Sequence, residues 1–336
     1  MFELRLLEPN ETTKVWDTLV KPFDVVYIHD DCEENTVFKF LCLHSVHRHN
    51  SADADTVEPG GRWYNAVLVF EDADPHTQLP HLYVKLLNRE EGETEADNVT
   101  RLYTALDEDL HNEYKCVRAE VAHTPTNTLP FYIIVTPDAG KTIYEYKFKN
   151  TEEIFKTVYS IAHALFELVK KTNMCYLDIK PMNFCIDDDK NVTIIDYGSF
   201  APVDTRYGTM TYPHPYFPFG VDVKAHQNVM VYGIGVLLVL LLHKHKHGTR
   251  SCCSTETGFR YHKTKNFESI GEAREYLTQC RQALVAHANA VVKNLDRLED
   301  DALRKINLRN LLVDSIVNQI HFNDLLKQLK MYFHSE

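Results

Sequence analysis

Asp178, Lys180, Asn183 and Asp196 are the residues of this chain whose types and spacing can do chemistry. They fall in the run Tyr176-Leu177-Asp178-Ile179-Lys180-Pro181-Met182-Asn183 and in Val192-Thr193-Ile194-Ile195-Asp196-Tyr197-Gly198. Together they supply a carboxylate able to orient a hydroxyl, an ammonium two residues on, an amide oxygen five residues on and a second carboxylate eighteen residues on. A transferred phosphoryl group carries dispersed negative charge, so a protein positions and neutralises it rather than doing covalent chemistry on it. Magnesium is a hard ion that keeps several waters, and one carboxylate with one side-chain amide is enough from the chain. Asn183 and Asp196 are the natural pair for it. Asp178, free of the metal, can accept or orient the proton of an attacking hydroxyl, and Lys180 can sit against a γ-phosphate as a point charge.

The elements that must position these groups are legible on either side. An apolar strand, Val192 to Ile195, leads into the turn at Asp196, and Thr151 to Lys171 has the apolar periodicity of a long helix that delivers the chain to Asp178. Thr151 is expected to open that helix, with Glu152 and Glu153 in its first turn. Upstream, His81-Leu82-Tyr83-Val84-Lys85-Leu86-Leu87 reads as a short strand with Lys85 among apolar residues. Glu95, Val99, Leu102 and Leu106 then recur at helical spacing, and two further strands are expected over Tyr114 to His123 and Pro130 to Val135.

D-x-K-P-x-N followed by an apolar strand and D-Y-G resembles the catalytic loop and D-F-G turn of the eukaryotic protein-kinase family. The chain is similar to its Ser/Thr-type members, closest to the casein-kinase-like and pox-virus-kinase-like branch. The resemblance implies a bilobal α+β fold: a strand-rich N-lobe with one helix over residues 1–136, a mainly helical C-lobe over 137–336, and nucleotide bound between them. It implies ATP and Mg2+ as cofactors and a protein substrate. It also implies that Lys85 holds the α- and β-phosphates and pairs with a glutamate of the following helix, taken as Glu95, with Glu91, Glu93 or Asp97 able to serve instead. Thr136 would be the gatekeeper, and Asp138 and Ala139 would offer main-chain contacts to adenine, in Thr136-Pro137-Asp138-Ala139-Gly140. The segment through Gly208 to Pro215 resembles an activation segment, and Val231 to Leu238 the central helix of the C-lobe. That apolar run, ending at Leu242, is about 12 residues, too short to cross a bilayer.

The departures are equally specific. No G-x-G-x-x-G precedes Lys85; Gly60-Gly61 lies in a polar stretch, Ser51 to Arg62, that reads as a long turn. Tyr176 and Leu177 replace the family's His and Arg, Met230 stands where a central-helix aspartate would support the loop, and no clear A-P-E follows. These losses fall on scaffolding and regulation, whereas Lys85, Asp178, Lys180, Asn183 and Asp196 sit on the chemistry, so an active enzyme is expected. With Leu177 in place of Arg, an activation-segment phosphate lacks its usual cationic partner. Activity is therefore expected not to depend on phosphorylation of Thr205, Thr209 or Thr211.

Two other classes share parts of this pattern. A pseudokinase would keep the fold as a binding or scaffold module, which the absent glycine-rich loop and Met230 favour. A small-molecule phosphotransferase of the aminoglycoside-kinase type would share Asp178, Asn183 and Asp196, but Lys180 counts against it.

Composition is that of an ordinary globular protein: 336 residues, 44% hydrophobic and 25% charged. A net charge of −12 argues against nucleic-acid binding, which needs clustered Lys and Arg. Met1 to Arg5 lacks a signal-peptide pattern, and eight cysteines without a C-x-x-C pair suggest neither a zinc site nor a disulfide framework. A reducing compartment, cytoplasmic or nuclear, is expected, in a host cell if the divergence reflects a large DNA virus; no membrane association is expected. The N-x-T sequons at Asn10, Asn98 and Asn191 are then chance matches. His243-Lys244-His245-Lys246-His247 is read as a basic helix end rather than a metal tract. His44, His47 and His49 are likewise not read as ligands. Phe267 to Phe333 reads as helix-rich, with Glu299-Asp300-Asp301 at a turn and Leu308, Leu311, Leu312, Ile316 and Ile320 as a packing face.

Overall fold

The computed structural model describes residues 2–5, 26–30, 37–48, 66–72, 82–87, 89–105, 119–124, 132–207, 223–224, 226–247, 269–293, 295, 302–318 and 320–333. The polar stretch at Gly60-Gly61, the segment from Gly208 to Pro215, Cys252-Cys253 and the acidic Glu299 to Asp301 lie outside them. The described residues form a mixed α+β protein. Two compact units divide the chain, one of Met1–Thr104 with Val117–Ala139 and one of Ala105–Cys116 with Gly140–Glu336.

The first unit is built on a seven-stranded antiparallel sheet. Its strands are β1 (Phe2–Arg5), β2 (Val26–Asp30), β3 (Val37–Arg48), β4 (Ala66–Asp72), β5 (Leu82–Leu87), β6 (Glu120–His123) and β7 (Tyr132–Pro137), in the order β1-β2-β3-β4-β5-β7-β6. Lys85 in β5 pairs with Val67 on one side and Ile134 on the other, which makes β5 an interior strand fixed from both edges. The expected strand at Pro130 to Val135 is displaced to Tyr132–Pro137 and so carries Thr136 inside it, opposite Tyr83. Helix α1 (Arg89–Ala105) buries Ala96, Val99 and Leu102 on one face. Glu95 lies on that same face, one turn before Val99, so the helix period carries a carboxylate into an apolar layer.

The second unit gathers around two long helices. Helix α2 (Thr151–Thr172) begins at Thr151, as the sequence suggests, with Glu152 and Glu153 in its first turn, and Asn150 is its cap: the Asn150 side chain accepts from the Glu153 N–H at 2.9 Å. Glu153 reaches back to accept the Lys149 N–H at 2.6 Å, closing a reciprocal cap. At the other end Asn173 takes the left-handed conformation, φ 55, and its N–H closes on Val169. That turn sends the chain into β9 (Met174–Tyr176).

Helix α3 (Gln227–His247) is 21 residues, longer than the apolar run within it, because polar Gln227-Asn228 and the His–Lys tract remain helical. Its stretch Gln227–Lys246 is long and apolar enough to cross a membrane, but most of it is buried within the protein. Val229 through His243 are buried without a break, and each such Val or Leu removed from water contributes about 1.5–3 kcal/mol. In the last turn Lys244 donates to the carbonyls of Tyr144 and Tyr146, and His243 packs on His287, ring centroids 4.6 Å apart. Helices α4 (Ile270–Lys293), α5 (Ala302–Val313) and α6 (Phe322–Lys330), with a π turn at Asp314–Asn318, complete the unit. Leu308, Leu311, Leu312 and Ile316 are buried as the spacing predicts, while Ile320 is half-buried.

Candidate functional site

Three short strand pairings shape the loop that carries Asp178. Strand β9 pairs antiparallel with β12 (Phe200–Pro202), and β10 (Phe184–Ile186) pairs with both β8 (Lys141–Thr142) and β11 (Val192–Ile194). The loop therefore leaves one small sheet and enters another, tightening into a 3-10 turn at Pro181–Asn183, where proline at the first helical position needs no N–H partner. Leu177 is buried and its N–H donates to the Ser199 carbonyl at 3.0 Å. Ile179 is buried against α3. A side-chain carbon at Gly233 would lie 2.9 Å from the Ile179 Cβ, so only glycine lets the helix back the loop this closely. Met230, the position expected to lack a supporting aspartate, is fully buried one turn before.

Within this frame the polar groups converge. Lys180 Nζ donates to Asp178 Oδ2 at 2.5 Å. Asn183 Nδ2 donates to the same Oδ2 at 2.9 Å, to the Asp178 carbonyl at 3.0 Å and to the Tyr176 hydroxyl at 2.9 Å. Asn183 is buried, and among the described residues its Oδ1 accepts no hydrogen bond. The Asn183 carbonyl accepts the Ile195 N–H at 3.1 Å, which ties the loop to the residue just before Asp196. Asp196 opens a short turn in which its Oδ1 accepts the Gly198 N–H at 3.3 Å. The structure thus brings Asp178, Lys180 and Asn183 together and ties them through one backbone bond to Ile195, the residue before Asp196.

Buried aromatics surround this set. Tyr176 packs on Phe200 at 4.7 Å and edge-on to Phe184 at 5.8 Å. Tyr197, next to Asp196, is buried and donates its hydroxyl proton to the Ile194 carbonyl at 2.6 Å. Burial first, and then the negative charges of Asp196 and Asp178, push the Tyr176 phenol well above its ordinary range, so it stays protonated. Cys175 beside it is pushed up to about 12 by burial and then by Asp204, a neutral thiol with no nucleophilic character.

In the first unit, Lys85 Nζ donates to both oxygens of Glu95, at 2.8 and 2.7 Å. Glu93 and Asp97 are exposed on the other face of α1. Thr136 and Asp138 are half-buried and Ala139 is buried. Gly140 follows at φ +84, a conformation that favours glycine, and a Cβ there would lie 2.3 Å from the Ile186 carbonyl oxygen. Asn98, one of the sequons, is buried in α1.

In the second unit, the Asn183 amide and the Asp196 carboxylate offer oxygen atoms of the kind a hard divalent ion takes. The buried amide oxygen of Asn183 has its nitrogen committed elsewhere, and the Asp196 carboxylate stands one residue beyond a bond to the same asparagine. Among the described residues no group of three or more His, Cys, Asp or Glu is disposed to hold a metal. No family model matches this chain, and no curated protein matches it.

Sequence reasoning did not find the Tyr176 hydroxyl as a partner of Asn183 or Gly233 as the seat of Ile179. The signal for the first was a tyrosine, rather than a purely apolar residue, in a buried strand; for the second, a glycine inside an apolar helix.

Proposed function

We propose that the chain is a divergent protein serine/threonine kinase that transfers the γ-phosphoryl group of ATP to hydroxyls of protein substrates. The observation that carries this reading is the convergence of Lys180 and Asn183 on one carboxylate oxygen of Asp178, beside a buried amide oxygen without a hydrogen bond among the described residues. Asp178 is assigned the substrate hydroxyl, whose proton it accepts or orients; among the described residues its second oxygen accepts no hydrogen bond. Lys180 is assigned the γ-phosphate, and its bond to Asp178 keeps the ammonium on that side of the loop. Asn183 Oδ1 and the Asp196 carboxylate would hold magnesium, which when bound neutralises charge on the phosphates. Lys85, oriented by Glu95, is assigned the α- and β-phosphates. Thr136, Asp138 and Ala139 are assigned to the adenine end, and the two units are read as the N- and C-lobes of a bilobal kinase.

A pseudokinase is the second reading, favoured by the absent glycine-rich loop and by the apolar, buried Met230. The two are separated by substitution. Asp178→Asn is expected to abolish nearly all turnover while leaving magnesium–nucleotide affinity unchanged, whereas Asp196→Asn lowers both, measured by nucleotide-dependent thermal shift alongside phosphotransfer. Equal loss of binding in both variants contradicts the division of roles.

A further inference from the structure

We infer that Tyr176 is a positioning residue for the metal, acting through the orientation of the Asn183 amide. This rests on the kinase reading of the same loop. A side-chain amide has two N–H donors and one oxygen acceptor, and only the oxygen can bind magnesium. Which way it faces decides whether the loop has a metal ligand at all.

Three acceptors share the two N–H groups of the Asn183 nitrogen: the Asp178 carbonyl at 3.0 Å, Asp178 Oδ2 at 2.9 Å and Tyr176 Oη at 2.9 Å. Two of the three belong to Asp178. Its Oδ2 is shared with Lys180 at 2.5 Å, and the carboxylate must also turn to a substrate hydroxyl during turnover. The Tyr176 bond alone among the side-chain restraints is independent of the residue that works on the substrate. With the Asp178 main-chain carbonyl, it keeps the amide oriented while the Asp178 carboxylate changes partners.

The ring does not explain the hydroxyl. Packing against Phe184 and Phe200 would be equally well served by phenylalanine, and a fully buried hydroxyl is costly unless it is hydrogen-bonded. The described bond to it comes from Asn183. Groups one step behind a metal ligand typically set its affinity by about 10- to 100-fold.

The test is a Tyr176→Phe variant of the full chain, which retains the ring. Mn2+ binding in the presence of a non-hydrolysable ATP analogue is followed by the loss of the free-ion electron paramagnetic resonance signal. The expected result is a Mn2+ affinity about tenfold weaker than wild type, a matching rise in the Mg2+ concentration for half-maximal turnover, and kcat mostly restored at saturating metal. In an Asn183→Ala background the same substitution should produce no further loss, since the two act as one unit. Equal affinity in wild type and Tyr176→Phe overturns the inference, as does a loss that persists undiminished in the Asn183→Ala background. Failure of the wild type itself to bind Mn2+ with nucleotide overturns the kinase reading and this inference with it.

Discussion

Lys85 and Glu95 meet at 2.7 Å, and Lys180 and Asp178 at 2.5 Å, yet the two ion pairs are held in different ways. The first joins an interior strand to a helix ten residues on, with side chains 19% and 5% exposed. The second spans two residues of one loop, with side chains 26% and 16% exposed, and Asp178 is also bonded to Asn183. Lys85–Glu95 is a tertiary pair whose geometry depends on how β5 and α1 pack. Lys180–Asp178 is a local pair whose geometry depends on the loop's own backbone and on the amide of Asn183. A tertiary pair is broken by removing a charge; a local network is broken by moving the backbone beneath it.

The largest stability effect should therefore come from Lys85. Lys85→Met leaves the Glu95 carboxylate buried without its counter-charge, at a cost of about 3 kcal/mol in urea unfolding. Lys85→Met with Glu95→Leu should recover most of that loss, because both charges then leave the apolar layer. Failure of the double substitution to recover stability would place the cost in packing rather than charge.

A smaller effect is expected where the backbone itself is constrained. Gly140→Ala must hold φ near +84 and admit a Cβ 2.3 Å from the Ile186 carbonyl, displacing β10 just after the turn at Asn183. A loss of about 1–3 kcal/mol is expected, together with reduced turnover. If thermal unfolding shows the loss and turnover per folded molecule is unchanged, the loop is less dependent on its sheet than the comparison holds.

The smallest effect is electrostatic and pH-dependent. Burial raises the Glu153 carboxyl, but the Lys149 N–H, the Tyr146 hydroxyl and Lys190 outweigh it, so its pKa falls below the ordinary 4.5. A depressed carboxyl stabilises the fold fully above its unfolded value, and that contribution is lost as the pH falls through the folded one. Glu153→Gln should therefore make the melting temperature less sensitive to acid between about pH 5 and pH 3. An unchanged slope would mean that the cap of α2 contributes nothing through its charge.

The same contrast explains what was legible in the sequence. Asp178, Lys180 and Asn183 lie within six residues, so their proximity follows from chain connectivity and one turn. Glu95 was one of several acidic candidates, and the helical period with Val99 and Leu102 singles it out, since Glu93 and Asp97 fall on the exposed face. The Asn150 cap was not legible, because Asn150 and Thr151 are both good capping residues and only the backbone conformation decides between them. The extent of α3 was hidden by polar residues at its ends, which remain helical because Lys244 and His243 find partners elsewhere in the fold. The Tyr176–Asn183 bond joins residues seven apart through side-chain orientation, which no spacing rule encodes.

The most direct test of the central claim is transfer of label from γ-labelled ATP with magnesium, offering casein, a basic protein and buffer alone to the wild type and to Asp178→Asn. Label on serine or threonine of a protein acceptor with the wild type, reduced about a thousandfold in the variant, is the expected result. No transfer by the wild type to either protein, with magnesium-dependent nucleotide binding intact, would contradict it.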